Sequence, residues 1–122
     1  MQKKWARAAA LSIAIFLCIA SQTRLLQSQD APKRIEVTAR KFSFTPGEIT
    51  LKKGQPVILV LKSEDVSHGL SFRDFNVNIK AGAGKTAEAQ FTPDKTGDFT
   101  GHCSVFCGSG HGSMTLKLHV VE

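Results

Sequence analysis

Between Cys103 and Met114 the chain gathers two thiols, an imidazole and a thioether into the run Cys103-Ser104-Val105-Phe106-Cys107-Gly108-Ser109-Gly110-His111-Gly112-Ser113-Met114. Cys107 lies four residues after Cys103, His111 four after Cys107, and Met114 three after His111. Thiolate, thioether and imidazole together suit copper, and the same set without the methionine suits zinc. Gly108, Gly110 and Gly112 are interspersed among these groups, so the run reads as a loop wrapped around something rather than a flat strand. Two cysteines alone would read as a short-loop disulfide of an oxidising compartment. With His111 and Met114 at these spacings, a metal loop is the stronger reading. The natural fourth strong ligand is His68, which ends a polar loop 35 residues before Cys103.

Such a set needs a scaffold that brings two distant loops together. From Arg34 onward the hydrophobic pattern has a period of two, the mark of half-buried strands. Ile35 and Val37 alternate with Glu36 and Thr38, and Phe42 and Phe44 with Lys41 and Ser43. Thr45-Pro46-Gly47 is a turn, Glu48 to Lys52 a short strand, and Lys53-Gly54-Gln55-Pro56 a second turn. Val57 to Leu61 is a continuous apolar run of strand length, as expected for a buried sandwich strand. Ser63 to Ser67 is a polar loop ending at His68. Leu70, Phe72, Phe75, Val77 and Ile79 read as the next stretch of strand. Ala81 to Gly84 turns, Thr86 to Phe91 is a strand, Thr92 to Gly97 turns, and Asp98 to Cys103 runs straight into the cysteine loop. Met114 to Val121 closes the domain with Leu116, Leu118 and Val120 on one face. No segment after residue 30 sustains a helical period. The expectation is an all-β sandwich of about seven to eight strands, an architecture that clusters its loops at its two ends.

The remainder of the chain bounds the setting. Its 122 residues suffice for one domain, with 42% hydrophobic and 21% charged residues. The net charge of +6 owes much to Lys3, Lys4 and Arg7. Beyond residue 20 the balance is mild and scattered, with no interleaved aromatic stripe, which argues against nucleic acid. Ala8 to Ala20 is an apolar run too short to be an ordinary spanning helix. With its basic start it reads as a secretory signal peptide over 1–20, or alternatively as a short membrane anchor. Residues 21–33 read as a polar tether and 34–122 as the folded domain. Either reading of the leader places that domain outside the cytoplasm, in the periplasm or on the outer face of the membrane.

Asp65-Val66-Ser67-His68, Gly97-Asp98-Phe99-Thr100-Gly101-His102-Cys103-Ser104 and Cys107-Gly108-x-x-His111-x-x-Met114 resemble the copper A (CuA) domain of cytochrome c oxidase subunit II. The resemblance covers roughly Ile49 to Val121. It implies a cupredoxin-like Greek-key β-sandwich. It further implies two copper ions bridged by Cys103 and Cys107 and capped by His68 and His111, with Met114 a weak axial ligand and the carbonyl of Val105 its counterpart. Asp65 and Ser67 are then candidates to orient a histidine. The implied electron donor is a cytochrome c or small redox protein, and the implied acceptor is subunit I of a haem-copper oxidase. The chain would pass single electrons and by itself catalyse no bond chemistry.

Three departures from the family pattern stand out. Val105 occupies the position of the family's usual glutamate. A carbonyl ligand does not need that side chain, but the glutamate also serves a magnesium site facing the catalytic subunit. The family's aromatic electron-entry patch is missing, since Trp5 in the leader is the only tryptophan. The chain carries at best one short membrane segment where most members have two. These departures keep two other readings open: an exported copper delivery or storage protein, and a mononuclear cupredoxin, for which the second cysteine is surplus. His102 and His119 are expected to face away from the core, by alternation with Cys103 and with Leu118 and Val120.

Overall fold

The computed structural model describes residues 31–122. The leader over 1–20 and most of the tether lie outside the described residues. The described chain forms nine strands: β1 (Lys33–Arg40), β2 (Ser43–Thr45), β3 (Glu48–Lys52), β4 (Val57–Ser63), β5 (His68–Phe72), β6 (Val77–Ala81), β7 (Thr86–Phe91), β8 (Gly97–His102) and β9 (Thr115–Val121). Two single-turn 3-10 helices, Arg73–Phe75 and His111–Ser113, complete it.

The strands form two sheets, in the orders β2-β1-β4-β7 and β3-β9-β8-β5-β6. β1 runs parallel to β4 and β3 parallel to β9, and the other pairings are antiparallel. Alternation decides which face each strand buries. In β1, Val37 and Ala39 are buried while Glu36 and Arg40 are exposed; in β9, Leu116, Leu118 and Val120 are buried while Lys117 is exposed. β4 lies inside its sheet and buries Val57, Leu59, Val60 and Leu61. Side chains from both sheets meet in one core that includes Val37, Leu59, Leu61, Leu70, Phe72, Ile79 and Leu118. At the end away from the cysteine loop, Phe75 packs on Phe91 and Phe99 with ring centroids 5.5 and 4.7 Å away.

The stretch expected as one strand from Leu70 to Ile79 is a hairpin instead. Leu70 and Phe72 belong to β5, Val77 and Ile79 to β6, and Phe72 pairs with Val77. The reason is visible in the pattern: the apolar positions slip phase between Phe72 and Phe75, and a strand cannot absorb an odd shift without turning its side chains to the wrong face. The 3-10 turn absorbs it and ends at Asn76 with φ of 53°, a left-handed conformation that asparagine tolerates. This split, together with the separate short β2, makes nine strands where seven to eight were expected.

His119 sits on the outer face of the second sheet and is only partly exposed. Its Nδ1 lies 2.6 Å from Asp98 Oδ1 on β8 and its Nε2 3.4 Å from Glu48 Oε2 on β3. One ring thus ties three adjacent strands. The Asp98 carboxylate, with a smaller contribution from Glu48, raises the His119 pKa above its ordinary 6.5. A raised folded-state pKa means that the stabilisation is fully present below pH 6.5 and disappears as pH rises through the folded value. His119→Ala is therefore expected to lower stability at acidic pH and to match the parent at alkaline pH. Urea unfolding of both proteins at the two pH values checks this, and an equal loss at both would refute it.

Candidate metal centre

The second sheet places the metal-loop residues. β8 delivers Cys103 at its end, β9 begins just after Met114, and β5 begins at His68. The Cys103 amide donates to the Met114 carbonyl at 3.1 Å, which closes the base of the loop. Within the loop, the His111, Ser113 and Met114 amides donate to the Gly108, Gly110 and His111 carbonyls. Close approach demands glycine at two points. A Cβ on Gly69 would meet Ser104 Oγ at 2.1 Å, because the loop lies directly on β5 there. A Cβ on Gly110 would meet the Phe42 ring at 2.5 Å, because the loop wraps over that ring.

The sulfurs of Cys103 and Cys107 are 3.8 Å apart, as two free thiols rather than a disulfide. Cys107 Sγ also lies 3.8 Å from His111 Nδ1 and 3.8 Å from Met114 Sδ. Cys103 Sγ is 3.1 Å from the Val105 carbonyl oxygen. A ring nitrogen of His68 and both sulfurs lie within 4.8 Å of one another. His68, Cys103, Cys107 and Met114 are buried, and His111 is partly exposed. All six residues singled out from the sequence therefore meet at one end of the sandwich. His68, Cys103 and Cys107 form the tight group, and His111 and Met114 join it through Cys107.

His68 carries the most telling detail. Its side chain is 0% exposed, Nε2 lies 2.7 Å from Asp65 Oδ1, and Nδ1 is buried with no hydrogen-bond partner. An unpaired buried nitrogen costs about 1–3 kcal/mol unless something satisfies it. A metal ion does so, and the soft donors beside it fit copper. Asp65 is a strong anchor because its carboxylate accepts from the Lys41 amide at 2.8 Å and the Val66 amide at 2.7 Å. The Lys41 amide is the largest influence holding the Asp65 carboxyl well below the usual range, and His68 and the Val66 amide add to it. An ionised acceptor at Nε2 selects the tautomer that leaves Nδ1 unprotonated. Burial pushes the Cys107 thiol above its ordinary value, with Cys103 adding to the shift. Metal binding must therefore expel a proton there.

Replacing Asp65 with asparagine puts an NH2 group where either the Lys41 amide or the His68 ring donates. Asp65→Asn is expected to weaken copper binding about 10- to 100-fold while the fold persists. Competition titration against a copper chelator measures this; unchanged affinity would show that Asp65 does not orient His68.

Ser67, the other candidate for orienting a histidine, is exposed and makes no hydrogen bond to His68 among the described residues. His102 and His119 lie on the outer face, as alternation predicts. The Lys41 amide, the Phe42 ring under the glycines, and the bond from Ser104 to Asn78 at 2.8 Å are supports that sequence reading misses. Nothing in a linear pattern marks them, since each acts on a segment more than 20 residues away.

A family model described as a cupredoxin-like domain matches residues 8–116. Nitrous-oxide reductase of Cupriavidus necator is 34% identical over 90 residues, which is 70% of this chain and 14% of that protein. Cytochrome c oxidase subunit 2 of Thermus thermophilus is 28% identical over 88 residues, 72% of this chain and 65% of the relative. The chain thus spans a small part of the reductase and less than two thirds of the oxidase subunit. Among solved structures, the periplasmic domain of subunit II of cytochrome oxidase of Bradyrhizobium japonicum superposes with a TM-score of 0.69 at 24% identity, covering 77% of this chain and 87% of that one. Auracyanin A, a blue copper protein of Chloroflexus aurantiacus, superposes at 0.61 and 19% identity, covering 75% and 100%. At those identities the superpositions speak for the fold alone. Strand order, loop placement and the family match agree: the chain belongs to the cupredoxin-like domain family and is homologous to subunit II of cytochrome c oxidase.

Proposed function

We propose that this chain is a copper-binding electron-transfer domain whose centre is binuclear, of the copper A type. The observation that carries the reading is the pair of buried thiols 3.8 Å apart, with a ring nitrogen of His68 within 4.8 Å of both, the His68 Nδ1 unpartnered, and His111 at Cys107. A blue-copper site, built on a single cysteine, has no use for the second one.

In this reading Cys103 and Cys107, as thiolates, would hold the copper together with His68 and His111. Met114 offers a weak thioether, and the Val105 carbonyl a neutral oxygen. Bound copper supplies a one-electron couple. The chain's own part is to hold these donors still: the neighbouring strands β9, β8 and β5 anchor the loop ends that bear them, Asp65 pins the His68 ring, and buried Met114 keeps water out. Little movement of the donors means little reorganisation on electron transfer. The domain then acts outside the cytoplasm, taking electrons from a cytochrome c or small redox protein and passing them to a haem-copper oxidase subunit.

A second reading, a single bound ion, has one observation in its favour. Only His68, Cys103 and Cys107 form the tight group, while His111 reaches it through Cys107 alone. Copper content and the paramagnetic spectrum of the loaded protein separate the two. Two ions per chain with a signal split by two equivalent copper nuclei support the binuclear centre. One ion with a single intense blue band would overturn it.

A further inference from the structure

The end of the sandwich that carries the metal loop has an uneven charge distribution. Strand direction and register place Arg40, Lys41, Lys62, Lys80 and Lys85 there: Ala39 pairs with Ser63, Lys62 with Thr86, and Ala81, next to Lys80, with His68. Lys85 closes the turn before β7, its carbonyl accepting from the Ser63 amide. The carboxylates at this end are Glu64 and Asp65, and both are engaged. Glu64 pairs with Arg40, and Asp65 holds His68 and the Lys41 amide. No ion pair among the described residues engages Lys41, Lys62, Lys80 or Lys85, all of which are exposed.

At the same end, on the metal loop, stands Phe106, 78% exposed, its ring centroid 5.7 Å from that of His111. His111 is partly exposed whereas His68 is sealed, so the centre is nearest to solvent beside Phe106. An exposed aromatic on an end that carries unpaired charges of one sign suits a docking patch: the aromatic anchors and the charges steer.

We propose that this end is the docking surface for a redox partner protein whose own contact face is acidic, with Phe106 as the apolar anchor and Lys41, Lys62, Lys80 and Lys85 as the steering charges. That the partner is a redox protein rests on the electron-transfer reading above. The acidic character of its face rests on the charges alone.

Two probes separate these claims. The redox-inert paramagnetic anion hexacyanochromate(III), added to the copper-loaded full chain, is expected to broaden amide resonances around residues 41, 62, 80, 85 and 106. It should spare the far end near Lys33 and Lys52. Broadening spread evenly, or centred on the far end, overturns the docking surface whatever the metal does. In the second arm, hexacyanoferrate(III) takes one electron from the reduced copper centre and becomes hexacyanoferrate(II). Its rate is expected to fall about tenfold between low and high salt, as steering is screened. The double variant Lys62→Glu/Lys85→Glu should lose that salt dependence, while Lys33→Glu/Lys52→Glu, with the same change in net charge, should keep it. Equal behaviour of the two variants overturns the local surface. Localised broadening without any electron exchange overturns the redox identity of the partner and leaves the acidic-face assignment standing.

Discussion

Cys107→Ser is expected to lower copper affinity by more than about a hundredfold and to erase any spectrum of paired copper ions. The loss exceeds the 10- to 100-fold typical of removing a supporting contact, because Cys107 is the hub of the site. Its sulfur lies 3.8 Å from each of Cys103 Sγ, His111 Nδ1 and Met114 Sδ. Without it, His111 and Met114 lose their link to the group of His68 and Cys103. Serine is smaller and its hydroxyl stays protonated at neutral pH, so it offers neither a soft donor nor a negative charge to a bound cation. The fold should survive, because the change removes one polarisable atom at the rim of the core rather than a large side chain. Elemental analysis of copper per chain, read beside the optical and paramagnetic spectra, tests this directly. Retention of full copper content and colour would show that the ligand set is misassigned. Met114→Leu provides the contrast: the volume is kept, a thioether that would be a weak donor is lost, and copper should be retained with an altered potential.

The largest expected effect on stability lies behind the site, at Phe72. This ring is fully buried in the core, four residues along β5 from His68, and it rests on Gly101 of β8. A Cβ built on Gly101 would come within 2.4 Å of the ring. Phe72→Ala is expected to destabilise the domain by about 3–5 kcal/mol, the usual loss for a buried aromatic. That is a large share of the ~5–15 kcal/mol that holds a typical domain together. Gly101→Ala should cost about 1–3 kcal/mol by overpacking. The two sites touch, so their effects should not add. Joining Gly101→Ala with Phe72→Leu gives the new methyl room, and the double variant should be more stable than the sum of the singles predicts. A double-mutant cycle by urea unfolding measures this, and strict additivity would mean that the two residues are not in contact. Since β5 begins at His68 and β8 leads directly into Cys103, Gly101→Ala should also disturb copper binding more than a core change on the first sheet does.

Much of this protein is legible in the sequence, for a physical reason. Burial in a sandwich imposes a period of two, so Val37 and Ala39, Leu116, Leu118 and Val120 declare their inward faces, and the run Val57 to Leu61 declares a strand inside its sheet. Soft ligands are rare and costly to place by accident, so Cys103, Cys107, His111 and Met114 stand out by spacing alone as candidates for a metal loop. The distant partner His68 follows from the sandwich's habit of gathering loops at its ends. The hairpin at Arg73–Phe75 was also written in the pattern, as a slip of phase between Phe72 and Phe75, but alternation on either side of it disguised one turn as a continuing strand.

The chain order cannot state which partners meet across the fold. That the Lys41 amide braces Asp65, that Phe42 lies under Gly110, and that His119 is held between Asp98 and Glu48 depend on strand order and register, which bring together segments more than 20 residues apart. The sequence by itself determined the candidate donors and the kind of fold able to gather them, because ligand chemistry and hydrophobic period are local properties. Only the tertiary structure decided which nitrogen of His68 is left without a hydrogen-bond partner, that His111 rather than His68 faces solvent, and that lysines without ion pairs share the loop end with Phe106. Burial, hydrogen bonding and ion pairing belong to neighbours in space, and those neighbours exist only once the two sheets have closed.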